Sequence, residues 1–523
     1  RSRALCLGHS EFYWQQSGLI YSPLLNDVRV KLEAIFSGLW ALADPMLLLL
    51  IVLATLGGIL VGALPGLNAT NGVALLLPFT ITMEPIAAIA VLTTIYCAAT
   101  FAGAITAILI NTPGTSASAT TCLDGYPLAQ RGEAGRALGM AAVSSTIGGI
   151  ISVLCLMAAA PLLAGAAYKF APPEYFALTV FGLSMLASIG EESSIKSIMS
   201  GAFGVLLATV GIDLLTTVER FTFGMNELTE GIGFVPVMIG VFGIAELLTQ
   251  AGQLGIVRER ITLRAIQLPS KADYQKTWKA ILRSSGIGTF IGILPAEGAT
   301  IASMIGYNEA KRWSKTPEEF GKGSIEGIAG SEAANNSATG GAMVPTLALG
   351  IPGSPTAAVI LAGLMVHGLR PGPTMFTEQS TFVFAIFWSM LLVNVLFFFV
   401  GLYGARIFAR ATLIPLTILW PMVFLFSMVG AYALDQSMID VWIALIFGVI
   451  GYLMKRYGFS VVSLAIGLIL GGMLEKRLGQ SMVMLDEQWW LIATRPLSLL
   501  FLVLTVFALA GPFLLRKIKS IKS

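Results

Sequence analysis

Apolar stretches long enough to cross a bilayer run through most of this chain, and several are interrupted at mid-length by proline, glycine and small polar residues. About 18 or more consecutive apolar residues read as a membrane helix. A break inside such a helix strands backbone N–H and C=O groups away from water, which is tolerated only where protein or a wet cavity satisfies them. The apolar segments fall near 46–64, 86–110, 137–165, 174–190, 195–217, 232–252, 284–310, 325–350, 355–369, 379–405, 413–433, 439–454, 458–473 and 496–515. Only 12% of the residues are charged and 56% are hydrophobic, whereas a soluble domain carries about 25% charged residues. The expected fold is an all-α polytopic membrane protein with roughly 12 or more membrane segments.

Other classes are disfavoured on the same page. Cys6, Cys97, Cys122 and Cys155 form no CxxC pair, and the two histidines, His9 and His367, lie far apart, so no redox or metal motif is indicated. No Walker motif is present, and no cofactor or nucleic-acid partner is expected. Residues 1–44 are mixed in polarity and read as an N-terminal extension without a signal-peptide pattern; within it, 28–44 has the makings of an interfacial amphipathic helix.

Lysine and arginine set the orientation. The richest basic loop holds Arg258, Arg260, Arg264, Lys271, Lys276, Lys279 and Arg283, and a second holds Lys311, Arg312, Lys315 and Lys322. Both are placed in the cytoplasm, with Glu219, Glu227 and Glu230 outside. About 27 residues separate the two loops, whereas two full spans need about 40. Residues 284–310 are therefore expected to form a re-entrant hairpin that turns at LPAEGAT (294–300). Arg406 and Arg410, then Lys455 and Arg456, then the basic C-terminal tail are expected inside.

A weak internal repeat supports broken helices. GALPGLNAT (62–70) resembles GILPAEGAT (292–300), and LINTPGTSASA (109–119) resembles LGIPGSPTAAV (349–359). Each half thus carries one LP turn and one PG turn in the same order. Loop charge gives the two hairpins opposite entry sides, the pattern of an inverted repeat, in which broken helices build a binding site near the midplane. The expected division is 45–230 for the first membrane repeat, 231–410 for the second and 411–523 for the C-terminal helices and tail.

The residues at these turns suit an anion. Glycine exposes backbone N–H, and a half-helix N-terminus adds partial positive charge. Candidate substrate-binding residues are Gly66, Asn68 and Thr70 at the first turn, Asn111, Thr112, Gly114, Thr115 and Ser116 at the second, and Gly298, Thr300, Gly353 and Ser354 at their counterparts. Asn335 and Asn336 join them from the polar tract SEAANNSATGGA (331–342). Unwound carbonyls and oxygen side chains suit Na⁺, with Asn71, Glu297, Ser337, Thr339 and Thr356 as candidate ion ligands. The competing reading is close helix packing through small residues. Glu332, an acid at membrane depth, either lines the pathway or caps and pairs structurally, while Asp124 and Arg136 read as a turn and an anchor.

The stretches 64–80, 110–138, 294–312 and 327–364 closely resemble the large membrane subunit of tripartite tricarboxylate transporters, the TctA family, over roughly residues 30–515. The resemblance implies a secondary active transporter subunit of the bacterial inner membrane. It implies uptake of citrate, other di- and tricarboxylates or aromatic carboxylates by symport, usually with sodium. It also implies two partners, a periplasmic substrate-binding protein and a small membrane subunit, and leaves a homo-oligomer open. Two departures bear on substrate or ion choice: Asn68 where the family reads PGLG, and Ala296 with Glu297 where it reads PGAGAT. Residues 1–27 have no counterpart. An ion channel and a membrane-embedded enzyme are the alternatives, although no acid-rich metal motif or catalytic pair points to an enzyme.

Overall fold

The computed structural model describes residues 33–64, 67–189, 193–213, 216–251, 267–294, 298–411 and 416–522, except the side chains of 188–189, 405–411, 416–419, 434–435 and 511–522. Gly66, Glu297, Arg258, Arg260 and Arg264 lie outside the described residues. Among the described residues the fold is helical apart from one short antiparallel pair, Gly211–Ile212 with Glu219–Arg220. Among the described residues, six helices are long and apolar enough to cross a membrane, and five shorter apolar helices accompany them. Two of the shorter ones, Ala69–Thr80 and Pro355–Val366, are the downstream halves of broken helices. Residues 33–41 are helical as well. This segment is stapled by Trp388 Nε1 donating to Ile35 O at 3.0 Å, and Phe36 and Trp40 face outward.

Two runs of helices follow the same plan. The first is α1 (Pro45–Ala63), α2 (Ala69–Thr80), α3 (Pro85–Ile110), α4 (Ala119–Leu128) and α5 (Ala134–Ala167). Then comes α6 (Phe234–Ala251), which contains a π turn at Ile239–Ile244. The second run is α7 (Lys271–Ile293), α8 (Gly298–Trp313), α9 (Ile325–Leu349), α10 (Pro355–Val366) and α11 (Ser380–Ala411). Three further helices matter below: α12 (Leu416–Asp435), α13 (Met438–Arg456) and α14 (Val461–Met484).

Local chemistry starts and stops these helices. Asp44 caps α1 by accepting from Met46 N and Leu47 N, with Pro45 at the first helical position, where its missing N–H costs nothing. Ser270 and Asp273 form a capping box at the start of α7. Asp273 also pairs with Arg136 of α5, so the expected anchor is held by a specific carboxylate. Asp124 of α4 accepts from the backbone N–H groups of Gly321, Gly323 and Ser324, each at 2.8 Å. That carboxylate thereby organises the loop that leads into α9.

The hairpin expected at 284–310 is present as α7 and α8 packed side by side. Ser284 Oγ donates to Gly306 O at 3.3 Å. Its two outer ends meet, because Lys276 Nζ lies 2.8 Å from Glu319 and 3.1 Å from Thr316. The chain therefore enters and leaves this hairpin at one place.

The two runs interlock through α3 and α9. The former packs against α1 of its own run and α11 of the other; α9 packs against α7 of its own run and α5 of the other. Every residue of α9 is buried. Burying so polar a helix on all sides requires small side chains at its contacts. A Cβ at Gly148 of α5 would sit 2.4 Å from Ala333 O, and one at Gly288 of α7 would sit 2.1 Å from Ser337 Oγ and 2.3 Å from Ala334 O.

Two outcomes test this packing. Gly288→Ala forces backbone apart and should lower thermal stability in detergent by about 1–3 kcal/mol. Gly286→Ala, two residues earlier where nothing lies within 4 Å, should leave stability unchanged or raise it by up to about 1 kcal/mol through helix propensity. Separately, cysteines at the exposed positions Gln275 and Glu318 should react with an impermeant maleimide from the same side of the membrane. Labelling from opposite sides would mean that α7 and α8 are separated by the bilayer.

Candidate functional site

Four helix breaks meet at one place, and each is built by its own sequence. At the first, α1 ends at Leu64 and Asn68 caps α2, its side chain accepting from Asn71 N at 2.9 Å. At the second, α3 ends on Asn111 in the left-handed region (φ 50°), and Thr115 caps the 3-10 turn Ser116–Ser118 that leads into α4. The third lies between α7 and Gly298, the first residue of α8. At the fourth, α9 ends on Gly350, again left-handed (φ 72°), and Ser354 caps α10 by accepting from Ala357 N at 3.1 Å. Asn111 and Gly350 therefore do the same job, as do Thr115 and Ser354. Both left-handed ends use residue types that tolerate positive φ.

The breaks enclose a cavity of about 260 Å³. Its wall includes Asn68, Thr70, Asn71, Thr115, Ser116, Gly298, Thr300, Asn335, Ser354 and Thr356. Sequence reasoning had named all of these. The start of each downstream helix thus faces the cavity, where the first N–H groups have no intrahelical partner. Each full helix end contributes roughly half a positive charge.

Hydroxyl pairs cross between the two runs. Thr70 Oγ1 of α2 lies 2.9 Å from Thr356 Oγ1 of α10, and Ser116 Oγ lies 2.8 Å from Thr300 Oγ1 of α8. The arrangement is reciprocal: each run's LP-turn helix bonds the other run's PG turn. Tyr96 OH lies 3.1 Å from Ser354 Oγ, and Ser303 Oγ donates to Ala117 O at 2.9 Å. Asn335 is fully buried in the wall near Glu332, and its amide makes no close, well-aligned hydrogen bond to another protein group. Asn71 Nδ2 is buried and unpartnered. Leaving such groups unpaired costs a few kcal/mol each, so they are groups that a ligand in the cavity would satisfy.

Other residues named from the sequence lie nearby but outside the cavity wall. Gly114 packs into a backbone crossing with Gly62 and Gly103. The N–H of Gly353 is taken by Thr346 Oγ1 at 3.2 Å. Asn111 is exposed, and Thr112 bonds back to Ile110 O at 3.2 Å. Ser337 and Thr339 bond back into α9 at Ala334 O and Asn336 O. Asn336 turns to the opposite side from Asn335, donating to Ser145 Oγ at 2.8 Å and to Glu332 at 3.3 Å. Glu332 is fully buried and also accepts from Thr121 and from Ser145, the latter at 3.1 Å. It ties α9 to α4 and α5.

The cavity also holds residues the sequence reading missed. Tyr96 and Thr100 lie four apart on α3, a helix that also carries Thr93, Thr94 and Thr106, and their spacing on one helix face was a usable signal. Phe242 sits on the π turn of α6, and Val461 and Val462 open α14. Lys455, expected as a cytoplasmic anchor, is part of the wall, while its neighbour Arg456 is exposed.

The chain matches the tripartite tricarboxylate transporter TctA family over residues 48–466, a stretch that contains every residue of the cavity wall. It is 40% identical over 442 residues to an uncharacterized 52.8 kDa protein in the TAR-I ttuC' 3' region of Agrobacterium vitis; the match covers 84% of this chain and 88% of that one. A second protein of the same organism, uncharacterized and in the TAR-II ttuC' 3' region, is 35% identical over 211 residues, 40% of this chain and 87% of that one. No solved structure matches the chain. With broken helices, membrane-length apolar helices and this match all in one chain, the protein belongs to the tripartite tricarboxylate transporter TctA family as a multi-pass membrane subunit.

Proposed function

We propose that this chain forms the translocation path of a bacterial inner-membrane uptake system for small organic carboxylates, di- and tricarboxylates such as citrate or aromatic carboxylates. The observation that carries this reading is the convergence of four helix starts and the buried amide of Asn335 on one cavity. Backbone N–H groups at helix starts bind carboxylate oxygens without a dedicated arginine, and an amide fixes orientation.

In this reading a periplasmic binding protein delivers the substrate and a small membrane subunit completes the complex. An ion gradient, with Na⁺ as the coupling ion, drives symport; Asn71 and Thr356 in the wall supply oxygen ligands of the type Na⁺ takes. The two interlocked runs are the halves of an inverted repeat that rocks around the cavity, and the C-terminal tail is cytoplasmic.

Uptake of radiolabelled citrate, succinate and benzoate should be saturable and Na⁺-dependent in cells expressing the chain with its two partners. Uptake that rises linearly with concentration would make it a channel, and no uptake of any of the three would reject the carboxylate reading. Asn335→Ala and Thr115→Ala should each raise the apparent substrate constant about ten- to a hundred-fold, the cost of roughly 1.5–3 kcal/mol for one bond to a charged ligand. Leu504→Ala, on the helix Pro496–Lys522 and away from the cavity, should leave that constant alone with all three proteins inserted equally.

A further inference from the structure

The cavity has a second wall that the helix breaks do not supply. It is made by Phe242 of α6, Lys455 in the last turn of α13, and Val461 and Val462 at the start of α14. Among the described residues that line the cavity, Lys455 is the one lysine or arginine. Its ammonium is bonded to Glu246 of α6, and Gln250 Nε2 donates to the other oxygen of that carboxylate at 3.0 Å. The two charged side chains are only 26% and 15% exposed.

This is an unusual place for a lysine whose only task is to mark a membrane face. An anchoring lysine extends to water or headgroups and needs no counter-ion; Arg456, the next residue, is exposed in that manner. Lys455 instead turns inward and takes a carboxylate with it. A partly buried charge is expensive unless paired, and an ionisable residue within a membrane protein is by default a functional hypothesis with its partner named. The helix starts offer partial charges and N–H donors on one wall. Lys455 offers a full charge on the other, with the apolar surface of Phe242, Val461 and Val462 beside it.

We propose that Lys455 is a specificity-determining residue that binds a second carboxylate of the substrate, and that Glu246 is the counter-ion it exchanges for that carboxylate. The proposal rests on the carboxylate-uptake reading. One carboxylate sits at the helix starts beside Asn335, the apolar body lies along Phe242 and the valines, and the other carboxylate displaces Glu246 from the ammonium. Exchange of one carboxylate partner for another keeps the lysine paired throughout, and the released Glu246 carboxylate still accepts from Gln250 Nε2. A ligand with a single carboxylate leaves Lys455 on Glu246 and gains nothing from this wall.

The test compares succinate with its half-amide, succinamate, which has one carboxylate, as competitors in cells expressing the complete system. Lys455→Gln should raise the apparent constant for the dicarboxylate about ten- to a hundred-fold and barely change it for the half-amide, so that discrimination between the two collapses. Lys455→Arg keeps the charge and should keep most of the discrimination. The exchanged pair Lys455→Glu with Glu246→Lys retains an ion pair but moves the positive charge, and should reach the membrane normally yet discriminate poorly. Normal discrimination by Lys455→Gln, or full restoration by the exchanged pair, would show that the lysine only braces α13 against α6. Either result leaves carboxylate uptake itself standing. Wild-type uptake of benzoate alone would overturn the second-carboxylate role, and uptake of none of these anions would overturn the functional reading along with it.

Discussion

Backbone that is broken at membrane depth must find hydrogen-bond partners inside the protein, and the rest of this structure follows from that demand. Side-chain caps meet it in part. Asn68, Thr115 and Ser354 each take one N–H of the helix they begin. The left-handed residues Asn111 and Gly350 close the helices before two of the breaks. What the caps leave over points into a shared cavity, because four isolated breaks would each strand polar groups among apolar neighbours. Bringing them together lets hydroxyls of one run bond hydroxyls of the other, as Thr70 does with Thr356 and Ser116 with Thr300.

Close approach is what makes that convergence possible. The helix α9 is polar enough to be a poor membrane span, yet it is buried along its whole length. Glycines at its contacts allow backbone to pass within reach of backbone, as at Gly148 and Gly288. The close-packing reading of the small residues therefore holds for some positions of the tract, while others line the cavity. Ser337 faces Gly288 and bonds back into its own helix. Asn335, two residues earlier, lines the cavity. Helical geometry separates these roles, since successive residues point about 100° apart.

The same geometry divides the adjacent amides. Asn336 and Glu332, one turn apart, meet Thr121 and Ser145 and lock α9 to the helices behind it. A buried carboxylate with several donors is stable in place where an isolated one would be costly. The helix thus has a deep polar brace on one side and a face lining the cavity on the other, and both are products of one short sequence, SEAANNSATGGA.

Much was legible in the residue order. Apolar length announced a helical membrane protein, the spacing of the basic loops announced a hairpin whose two ends meet at Lys276 and Glu319, and the paired LP and PG turns picked out most of the polar wall. These are local or periodic signals, carried by residues near one another in the chain. Lys455 was legible only as a charge near a helix end, and Gly353 only as an exposed N–H. Which way a side chain turns depends on helices hundreds of residues apart, and even the claim of Thr346 Oγ1 on the Gly353 N–H needs the chain to fold back at the break between them. Sequence by itself determined that helices would break and what chemistry the breaks would expose. Only tertiary packing decided that Asn335 faces the cavity while Asn336 faces Ser145, and that Lys455 meets Glu246 at its edge, because burial and pairing are properties of neighbours in space.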